Sequence, residues 1–581
     1  KVVAWNEKYA APTVAIGLAG DFFRRFEQQY ADRIPTAAGD LTPYWEDGAA
    51  STARETGMNR ASADRLSQAT ALFAMRTPQT YPAAAFAEAW KNVLLYSEHT
   101  WGAWCSISEP DSPFTLDQWR VKQAFALDAE RQSHDLLAQA LPPSPADAAP
   151  IEFFDVFNTT QWPRTDLATI PADWSCKGVL DSDNRPVPTQ RLADGSLVFL
   201  AEDVPPFAAR RYKLTQQATP AKGRAWVGGN RMRNGELTLE LDPETGAIAH
   251  LHVSGFADDF VDPKAPVQIN DYRYLLGVDP EDAQPNGPVT IRVVDPGPIV
   301  ATVEITSDAP GCEQLVRQVR LIHGLNRVEL INHVDRLSVR EKDAIHFGFG
   351  FKVPNGQIRM ETPWGSVRPN IDQLDGANRN WYTVQRWIDV SNENAGVTCA
   401  PLDAPLMQIG AITANLLGSV PFDQWMTESL DSQTLYSWAQ NNHWHTNYKA
   451  DQPGRTTFRY ALRPHQDEFD PAETARFGIE TTRPLLVAPA DPNRPPTPQL
   501  LQISDEHVLI ETVKPSEDGK ALILRLFGVS DQNRDVTINW GDGLSPMTLH
   551  RTDLSEQPLE PESGTIHIPA YGVVMLRAQP S

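Results

Sequence analysis

The pattern of hydrophobic and polar positions changes near residue 145, where helical spacing gives way to short apolar runs separated by turns. Upstream, Phe22, Phe23 and Phe26 fall on one face of residues 20–30, which predicts an amphipathic helix. Downstream, runs such as residues 237–241 alternate as strands do. The pattern therefore predicts a multidomain α+β protein with its helices first and its sheets afterwards.

Three longer helices are predicted before the change of pattern. The first follows Thr52-Ala-Arg-Glu55, whose spacing predicts a capping box, in which each side chain bonds the other residue's backbone N–H. The second has Pro82 in its first turn, and the third begins near Thr115 and runs to about residue 141. Because their connections are short, we expect these helices to form an antiparallel three-helix bundle.

The rest of the chain is predicted to contain only strands and turns. A proline-rich tract over 141–150 is expected to be a linker, since proline disfavours both helix and central strand. Beyond it, residues 153–157, 522–527 and 573–576 also indicate strands. We therefore expect several all-β sandwich domains after the linker.

Length and charge limit the function classes. The 581 residues correspond to roughly three to five domains. The formal net charge of −23 disfavours nucleic acid and anionic membranes as partners, while a neutral sugar is compatible with it. The sequence contains no apolar run of about 18 residues, so it predicts no membrane-spanning helix.

Cysteine usage adds one constraint. The spacing of the four cysteines disfavours a disulfide framework and a cysteine-based zinc site. We expect buried thiols, which suit a reducing compartment and favour a cytoplasmic location. The four residues are Cys105, Cys176, Cys312 and Cys399.

The stretch over residues 43–48 is the first candidate for chemistry. It places Glu46 and Asp47 beside Tyr44 and Trp45. Aromatic rings stack on sugars, and they desolvate a neighbouring carboxyl, which raises its pKa toward that of a general acid. An ordinary turn with exposed acids would give the same pattern.

Two histidine-containing stretches are weaker candidates. His99 lies between Glu98 and Trp101 at the end of an apolar helix, and a carboxylate can orient a metal-binding imidazole. A lone histidine is nevertheless more often structural. His443 and His445, spaced i, i+2, would share a strand face, but no third ligand lies nearby in sequence. We interpret this cluster as structural or as a rim contact.

Several of these stretches together resemble glycoside hydrolase family 38, the α-mannosidases. The resemblance covers essentially the whole chain in the expected order. The two N-terminal runs that carry it are GDLTPYWEDGAASTARETGMNR (39–60) and LLYSEHTWGAWCSISEPDS (94–112). Further runs resemble the family's β-domains, namely VFNTTQWPRTDL, RWIDVSNENAGVT, NNHWHTNYKAD and KPSEDGKALILRLF.

The resemblance implies an architecture of a β/α barrel, a three-helix bundle and several β-sandwiches. On this basis we expect the C-terminal part of the catalytic barrel at 1–48, the bundle at 49–145, a small β-sandwich at 151–217, a large β-sandwich at 218–485 and a C-terminal β-domain at 486–581.

The resemblance also implies a retaining enzyme that uses one divalent cation, usually zinc. The family's metal is held by an N-terminal His-x-Asp pair, the nucleophilic Asp and a bundle histidine that aligns with His99. The acid/base Asp follows a G-D-x-x-P-Y run and aligns with Asp47. One extra residue between the tyrosine and this aspartate leaves Glu46 as the alternative.

Three further residues are expected to contact a mannose-containing oligosaccharide. Trp45 and Trp101 lie within the two motifs as sugar-facing aromatics, and Asn447 lies in the downstream cluster.

No His-x-Asp pair precedes these motifs in the sequence. We therefore expect this chain to be the C-terminal two-thirds of the enzyme and inactive without the N-terminal part. That part is accordingly an expected partner, and association into a homo-oligomer stays open. The alternative function is a non-catalytic carbohydrate-binding or assembly module.

Overall fold

The computed structural model describes residues 1–37, 39–40, 46–98, 102–143, 151–256, 258–413, 425–443, 447–542 and 547–580. It has the predicted order of helices first and sheets afterwards, in a multidomain α+β arrangement with many sheets and few helices. The α-helices of these ranges are α1 (Val2–Lys8), α2 (Ala19–Tyr30), α3 (Gly48–Ser51), α4 (Ala53–Arg76), α5 (Ala83–Tyr96), α6 (Pro113–Ala140) and α7 (Pro471–Thr482).

Helices α4, α5 and α6 pack on one another around a shared apolar cluster. Alanines at the contact points, such as Ala69, Ala89 and Ala129, are fully buried and let the helices approach closely. Larger side chains fill the cluster between them, including Leu66, Leu72, Phe73, Phe86, Val93 and Leu136.

The predicted capping box at the start of α4 is wrong, although the helix begins where expected. Thr52 makes no capping hydrogen bond, and its hydroxyl lies 2.7 Å from the Tyr96 hydroxyl of α5. The Glu55 carboxylate accepts a hydrogen bond from Gln123 of α6 at 2.7 Å. Both side chains thus bond neighbouring helices instead of their own backbone.

The first β-domain follows the helices. Its strands form one sheet in the order β2-β6-β5 and most of a second, β1-β7-β3-β4. The buried rings of Phe154, Phe199 and Tyr212 pack between them. The strands are β1 (Phe153–Asn158), β2 (Arg164–Ile170), β3 (Gly178–Leu180), β4 (Pro186–Val187), β5 (Gln190–Arg191), β6 (Leu197–Val204) and β7 (Ala208–Thr215).

The central β-domain holds the largest core and contains sheets of four, five and nine strands. Its strands are β8 (Trp226–Gly228), β9 (Arg231–Arg233), β10 (Leu237–Leu241), β11 (Ile248–Val253), β12 (Asp271–Leu276), β13 (Val289–Pro296), β14 (Val300–Ser307), β15 (Cys312–Ile322), β16 (Val328–Arg336), β17 (Asp343–Gly350), β18 (Gln357–Thr362), β19 (Gly365–Val367), β20 (Tyr382–Thr383), β21 (Ile388–Ser391), β22 (Gly396–Pro401), β23 (Leu406–Ile409), β24 (Thr434–Asn441) and β25 (Gly454–His465). The sheet orders are β11-β10-β9-β8, β12-β17-β24-β23-β20 and β13-β14-β15-β16-β25-β22-β21-β18-β19.

The last β-domain is reached through a strand that belongs to the first. Strand β26 pairs with β1 just beyond the expected boundary at residue 485, and the following strands then form their own core. Strand β26 spans Leu486–Pro489. The strands of the last β-domain are β27 (Leu501–Ile503), β28 (Val508–Pro515), β29 (Leu522–Gly528), β30 (Arg534–Val536), β31 (Ile538–Trp540), β32 (Met547–Arg551), β33 (Pro561–Glu562), β34 (Ile566–Ile568) and β35 (Val573–Pro580).

Helix α7 corrects the expectation that the chain beyond the linker is all-β. Asp470 caps this helix by accepting hydrogen bonds from the backbone N–H groups of Ala472 and Glu473, and Pro471 occupies its first turn. Both are ordinary start signals that the sequence displays. The segment is a single 12-residue helix between two strands, and the strand pattern on both sides led to the prediction of an all-β region.

Two further predictions concern the cysteines and membrane-spanning helices. All four cysteines are buried thiols without a disulfide, as the sequence predicts. Among the described residues, no helix combines the length and apolar character that crossing a bilayer requires.

Helices α1 and α2 contain no buried residue. Phe22, Phe23 and Phe26 form the predicted apolar face of α2, yet they are 65%, 59% and 41% exposed. An apolar face of this kind normally packs on another element, so α2 presents an unusual solvent-exposed aromatic surface.

The first and central β-domains are joined by an ion cluster around Asp166 of β2. Arg164 contacts its carboxylate at 2.6 Å, and Arg327 contacts it at 2.9 Å. Burial alone would raise the pKa of Asp166, but the charges of Arg327 and Arg164 outweigh it and lower the pKa to about 2. The ionised carboxylate therefore stabilises the junction.

This junction predicts a pH-dependent stability. Because the folded pKa of Asp166 lies below its usual value, its contribution of about 2 kcal/mol is present above pH 4 and is lost as pH falls toward 2. Replacing Asp166→Asn should lower the free energy of unfolding at pH 7. The deficit should shrink in acid, as followed by urea denaturation at several pH values.

The control is Asp111, which pairs with Arg340 at 2.7 Å but is 75% exposed. Asp111→Asn should change stability little, since solvent screens exposed pairs. A deficit for Asp166→Asn that is the same at pH 7 and pH 3 would contradict the assignment.

Candidate functional site

Glu46 and Asp47 directly precede helix α3, and their side chains have opposite environments. Glu46 is exposed, whereas Asp47 is only 1% exposed. Asp47 is thus the carboxyl that the fold encloses.

The central β-domain holds the backbone around Asp47. The side-chain amide of Asn441, at the end of β24, donates to the Asp47 carbonyl at 3.0 Å and accepts from the Ser51 hydroxyl at 2.7 Å. Gln452 donates to the carbonyls of Ala50 and Asn441 at 2.9 and 2.7 Å. Side chains some 400 positions further along the chain therefore fix helix α3.

The start of the same motif is anchored separately. The Asp40 N–H donates to the Asp372 carbonyl at 3.1 Å, and the Gln373 amide donates to the Asp40 carboxylate at 3.1 Å. Gly39 has φ +135°, and a side chain there would also approach the Asp372 carbonyl. The motif's glycine and aspartate thus have a structural role at one end of the loop.

Burial raises the pKa of Asp47 well above its usual range, and the nearby charge of Glu46 raises it further. Hydrogen bonds from backbone N–H groups and from Tyr448 offset only part of this effect. Within the described ranges, the Oδ1 atom of Asp47 has no hydrogen-bond partner. A buried carboxyl in this state retains its proton at higher pH, as a general acid must.

Tyr448 is the side chain that meets Asp47. It is buried, and its hydroxyl is hydrogen-bonded to the Asp47 carboxyl. Burial and the charges of Asp47 and Glu46 raise the pKa of Tyr448, so the phenol stays neutral and can donate. This contact brings the downstream NNHWHTNYKAD run to the acidic loop.

Asn447, next to Tyr448, connects this run to the end of the histidine motif. Its backbone has φ +68°, a left-handed conformation that asparagine tolerates, and its N–H donates to the Ala103 carbonyl at 3.2 Å. A Cβ on Gly102 would lie 2.9 Å from the Asn447 carbonyl oxygen. Glycine at 102 therefore permits the close approach of the two segments.

Lys122 of α6 fixes the other side of the histidine motif. Its ammonium donates to the carbonyls of Glu98 and Leu95 at 2.6 and 3.2 Å, which satisfies the C-terminal end of α5. Burial lowers the pKa of Lys122 to about 8. The residue immediately before His99 is thus positioned by the neighbouring helix.

The structure brings some of the predicted site residues together. Tyr448, which directly follows Asn447, bonds Asp47, and Glu46 is exposed next to Asp47 in the chain. Trp45, His99, Trp101 and His445 lie outside the described residues. His443 is buried, with its ring 6.0 Å from that of Trp438, which agrees with a structural role.

The sequence reasoning missed Tyr448, Asn441 and Gln452. Tyr448 lies inside the run NNHWHTNYKAD and directly follows Asn447, so the resemblance offered a signal for it. The two amides had none, because their partners lie some 400 residues away.

The described residues around Asp47 do not by themselves form a metal site. In the described ranges, three possible ligands converge only at His250, His252 and Asp259, in β11 and the loop that follows it.

The contact at Gly102 predicts a specific sensitivity. Gly102→Ala should lower the free energy of unfolding by about 1–3 kcal/mol, because the new methyl group would push against the Asn447 backbone. Gly17 is the control, since a Cβ there would meet nothing within 4 Å. Urea denaturation of both variants checks this, and equal effects of the two substitutions would refute it.

Comparisons with known proteins agree with this fold. The model of the glycosyl hydrolases family 38 C-terminal domain matches residues 232–403, and that of the family's C-terminal beta sandwich domain matches residues 507–573. A search of curated proteins finds no match.

Two solved structures share the fold along nearly the whole chain. An α-mannosidase from Enterococcus faecalis V583 has a TM-score of 0.73 at 14% identity, covering 99% of this chain and 74% of its own. A protein in glycosyl hydrolase family 38 from Enterococcus faecalis has a TM-score of 0.72 at 14% identity, covering 99% of this chain and 75% of its own. The chain is therefore similar to the C-terminal domains of glycosyl hydrolase family 38 over residues 232–403 and 507–573, and it shares the fold of these two solved structures along nearly its whole length.

Proposed function

We propose that this chain is part of a retaining α-mannosidase in which Asp47 is the acid/base. The observation that carries the proposal is the state of Asp47, a buried carboxyl with a raised pKa and an oxygen that bonds no described residue. A structural carboxylate of comparable burial, Asp166, is instead paired with two arginines and has a lowered pKa. A buried carboxyl with a strongly raised pKa is characteristic of functional sites.

The same observations favour Asp47 over Glu46. Glu46 is exposed, and its charge helps to keep the neighbouring carboxyl protonated. Asp47 is fixed by Asn441 at its carbonyl and by Tyr448 at its carboxyl. A general acid must hold its proton at a defined place, which suits the enclosed residue.

In the proposed reaction, Asp47 protonates the glycosidic oxygen as the bond to the anomeric carbon breaks. A second carboxylate, about 5–5.5 Å from the first in retaining enzymes, attacks that carbon and forms a glycosyl–enzyme intermediate. Asp47, now ionised, removes a proton from the water that releases the sugar. The Tyr448 hydroxyl would donate to the ionised Asp47 between the two steps.

The attacking carboxylate is proposed to come from a catalytic barrel of which residues 1–48 are the last part. Two observations support a further domain. The aromatic face of α2 is exposed, and about a quarter of the matched mannosidase has no counterpart in this chain. A barrel packed on Phe22, Phe23 and Phe26 would cover that face and complete the site.

The proposed cofactor of the complete enzyme is a divalent cation, with zinc as the first candidate. His99 is proposed as one of its ligands. When bound, such a cation stabilises negative charge and orients sugar hydroxyls. Lys122 and Gly102 support the segment on both sides of His99. The remaining ligands would come from the barrel.

The acid/base assignment is tested in the complete enzyme with two substrates. Asp47→Asn should slow hydrolysis of an alkyl mannoside by about 10²–10⁴-fold, because its leaving group needs a proton. A dinitrophenyl mannoside, whose leaving group needs none, should be affected far less in the first step. Added azide should rescue the second step by attacking the intermediate.

Glu46→Gln is the matched control, since it changes the adjacent carboxyl and should retain most of the activity. If Glu46→Gln shows the leaving-group dependence and azide rescue while Asp47→Asn does not, the roles are reversed. If neither variant affects turnover, neither residue is the acid/base. If the complete protein hydrolyses no mannoside, the alternative of a non-catalytic carbohydrate-binding or assembly module is favoured.

The metal assignment is tested by His99→Ala in the complete enzyme. Zinc content and turnover should fall together, because the cation loses a ligand that also orients it. His134→Ala, an exposed histidine of α6, is the control and should leave both unchanged. Full zinc content and full turnover in His99→Ala would show that His99 is not a ligand.

A further inference from the structure

A second cluster of metal-ligating side chains lies in the central β-domain. His250 and His252 are two residues apart on β11, so they project from the same face of the strand. Their rings are nearly parallel, with centroids 6.2 Å apart. Both are accessible, with 54% and 43% of their side chains exposed.

Asp259, from the loop after β11, meets both histidines. One carboxylate oxygen, Oδ1, accepts the backbone N–H groups of Leu251 and Val261 at 2.9 and 3.0 Å. This fixes the carboxylate and leaves Oδ2 directed to the imidazoles. Oδ2 lies 2.6 Å from Nδ1 of His250 and 3.8 Å from Nε2 of His252.

His252 is oriented in the same manner as many metal-binding histidines. Its Nδ1 donates to the backbone carbonyl of Asp258 at 3.4 Å, which leaves the lone pair on Nε2, the atom nearer Asp259. Metal ligands commonly have their second ring nitrogen held by a carbonyl in this way. The backbone thus already holds two of the three candidate ligands.

We propose that His250, His252 and Asp259 bind one divalent transition-metal ion, with zinc as the first candidate. The three ligand atoms lie within 4.8 Å of one another. Ligands about 2.0–2.2 Å from a tetrahedral zinc lie roughly 3.3 Å apart, so small side-chain rotations close the site. Water would complete the coordination.

The ligand chemistry selects the class of ion. Imidazole suits zinc, copper and nickel, whereas magnesium and calcium prefer all-oxygen sites. On binding, the metal would take the place of the hydrogen bond between Nδ1 of His250 and Oδ2 of Asp259, and a neutral His250 would carry its one N–H on Nε2. This site uses none of the residues proposed for mannoside hydrolysis, and a bound ion would link β11 to the following loop.

An ordinary histidine–aspartate hydrogen bond is the simpler explanation, and the chain contains an internal comparison for it. His567 lies 2.9 Å from Asp535 and is similarly exposed, at 57%. Among the described residues this pair is joined by no further ligand within the same reach. His567→Ala therefore removes an exposed histidine–aspartate pair without touching the proposed site.

The test is a zinc titration of the full chain after chelator treatment, with a competing chromophoric indicator. All variants carry His99→Ala, which removes the ligand proposed for the other site. His252→Ala should weaken binding by about tenfold or more, and Asp259→Asn should weaken it as well. His567→Ala should bind as the parent does.

Thermal unfolding provides the second readout. Zinc should raise the Tm of the parent chain and of His567→Ala, because a ligand that binds the folded state stabilises it, but not the Tm of His252→Ala. Without zinc, the three proteins should unfold at similar temperatures, since the replaced side chains are exposed. Equal zinc affinity in the parent and His252→Ala, or no binding by the parent, would overturn the proposal.

Discussion

The burial of polar side chains on helix α4 is the constraint on which the assembly of the domains depends. Arg60 donates to carbonyls in and beside β22, and Gln68 donates to the Pro484 carbonyl at 2.9 Å. Asp64 contacts Arg483 at 3.0 Å and Arg386 at 3.8 Å. A buried charge or amide without a partner costs several kcal/mol, so α4 can be buried only when the β-domains surround it in this one arrangement.

The same assembly explains why two aspartates, Asp64 on α4 and Asp47 directly before α3, behave differently. Burial raises the pKa of both, but the charges of Arg386 and Arg483 lower that of Asp64 below its usual range. For Asp47, the charge of the adjacent Glu46 adds to the effect of burial and raises the pKa further. The surroundings of the two carboxyls thus keep Asp64 ionised and keep Asp47 protonated to a higher pH.

Sequence reasoning succeeded where local chemistry decides the structure and failed where distant partners decide it. Periodicity located α2, α4 and the strands β1, β10, β29 and β35, because the spacing of their apolar residues is a local property of the sequence. Thr52 stands at the position of a helix cap, but its hydroxyl bonds the Tyr96 hydroxyl of α5 instead of the backbone of α4. The side-chain amides of Asn441 and Gln452 donate hydrogen bonds to carbonyls about 400 residues away, and no pattern in a single sequence predicts such a contact.

The histidines show how little spacing alone says about function. His443 and His250 each have a second histidine two positions later, and only the pair at His443 lies in a run that resembles the family. His443 lies in a buried aromatic cluster near His346, whose pKa is lowered to about 3 by burial and by the charge of His443. Burial therefore favours a neutral, structural His346. His250 and its neighbour are exposed beside Asp259, so the carboxylate brought by the loop, rather than the spacing, makes that pair competent to bind a cation.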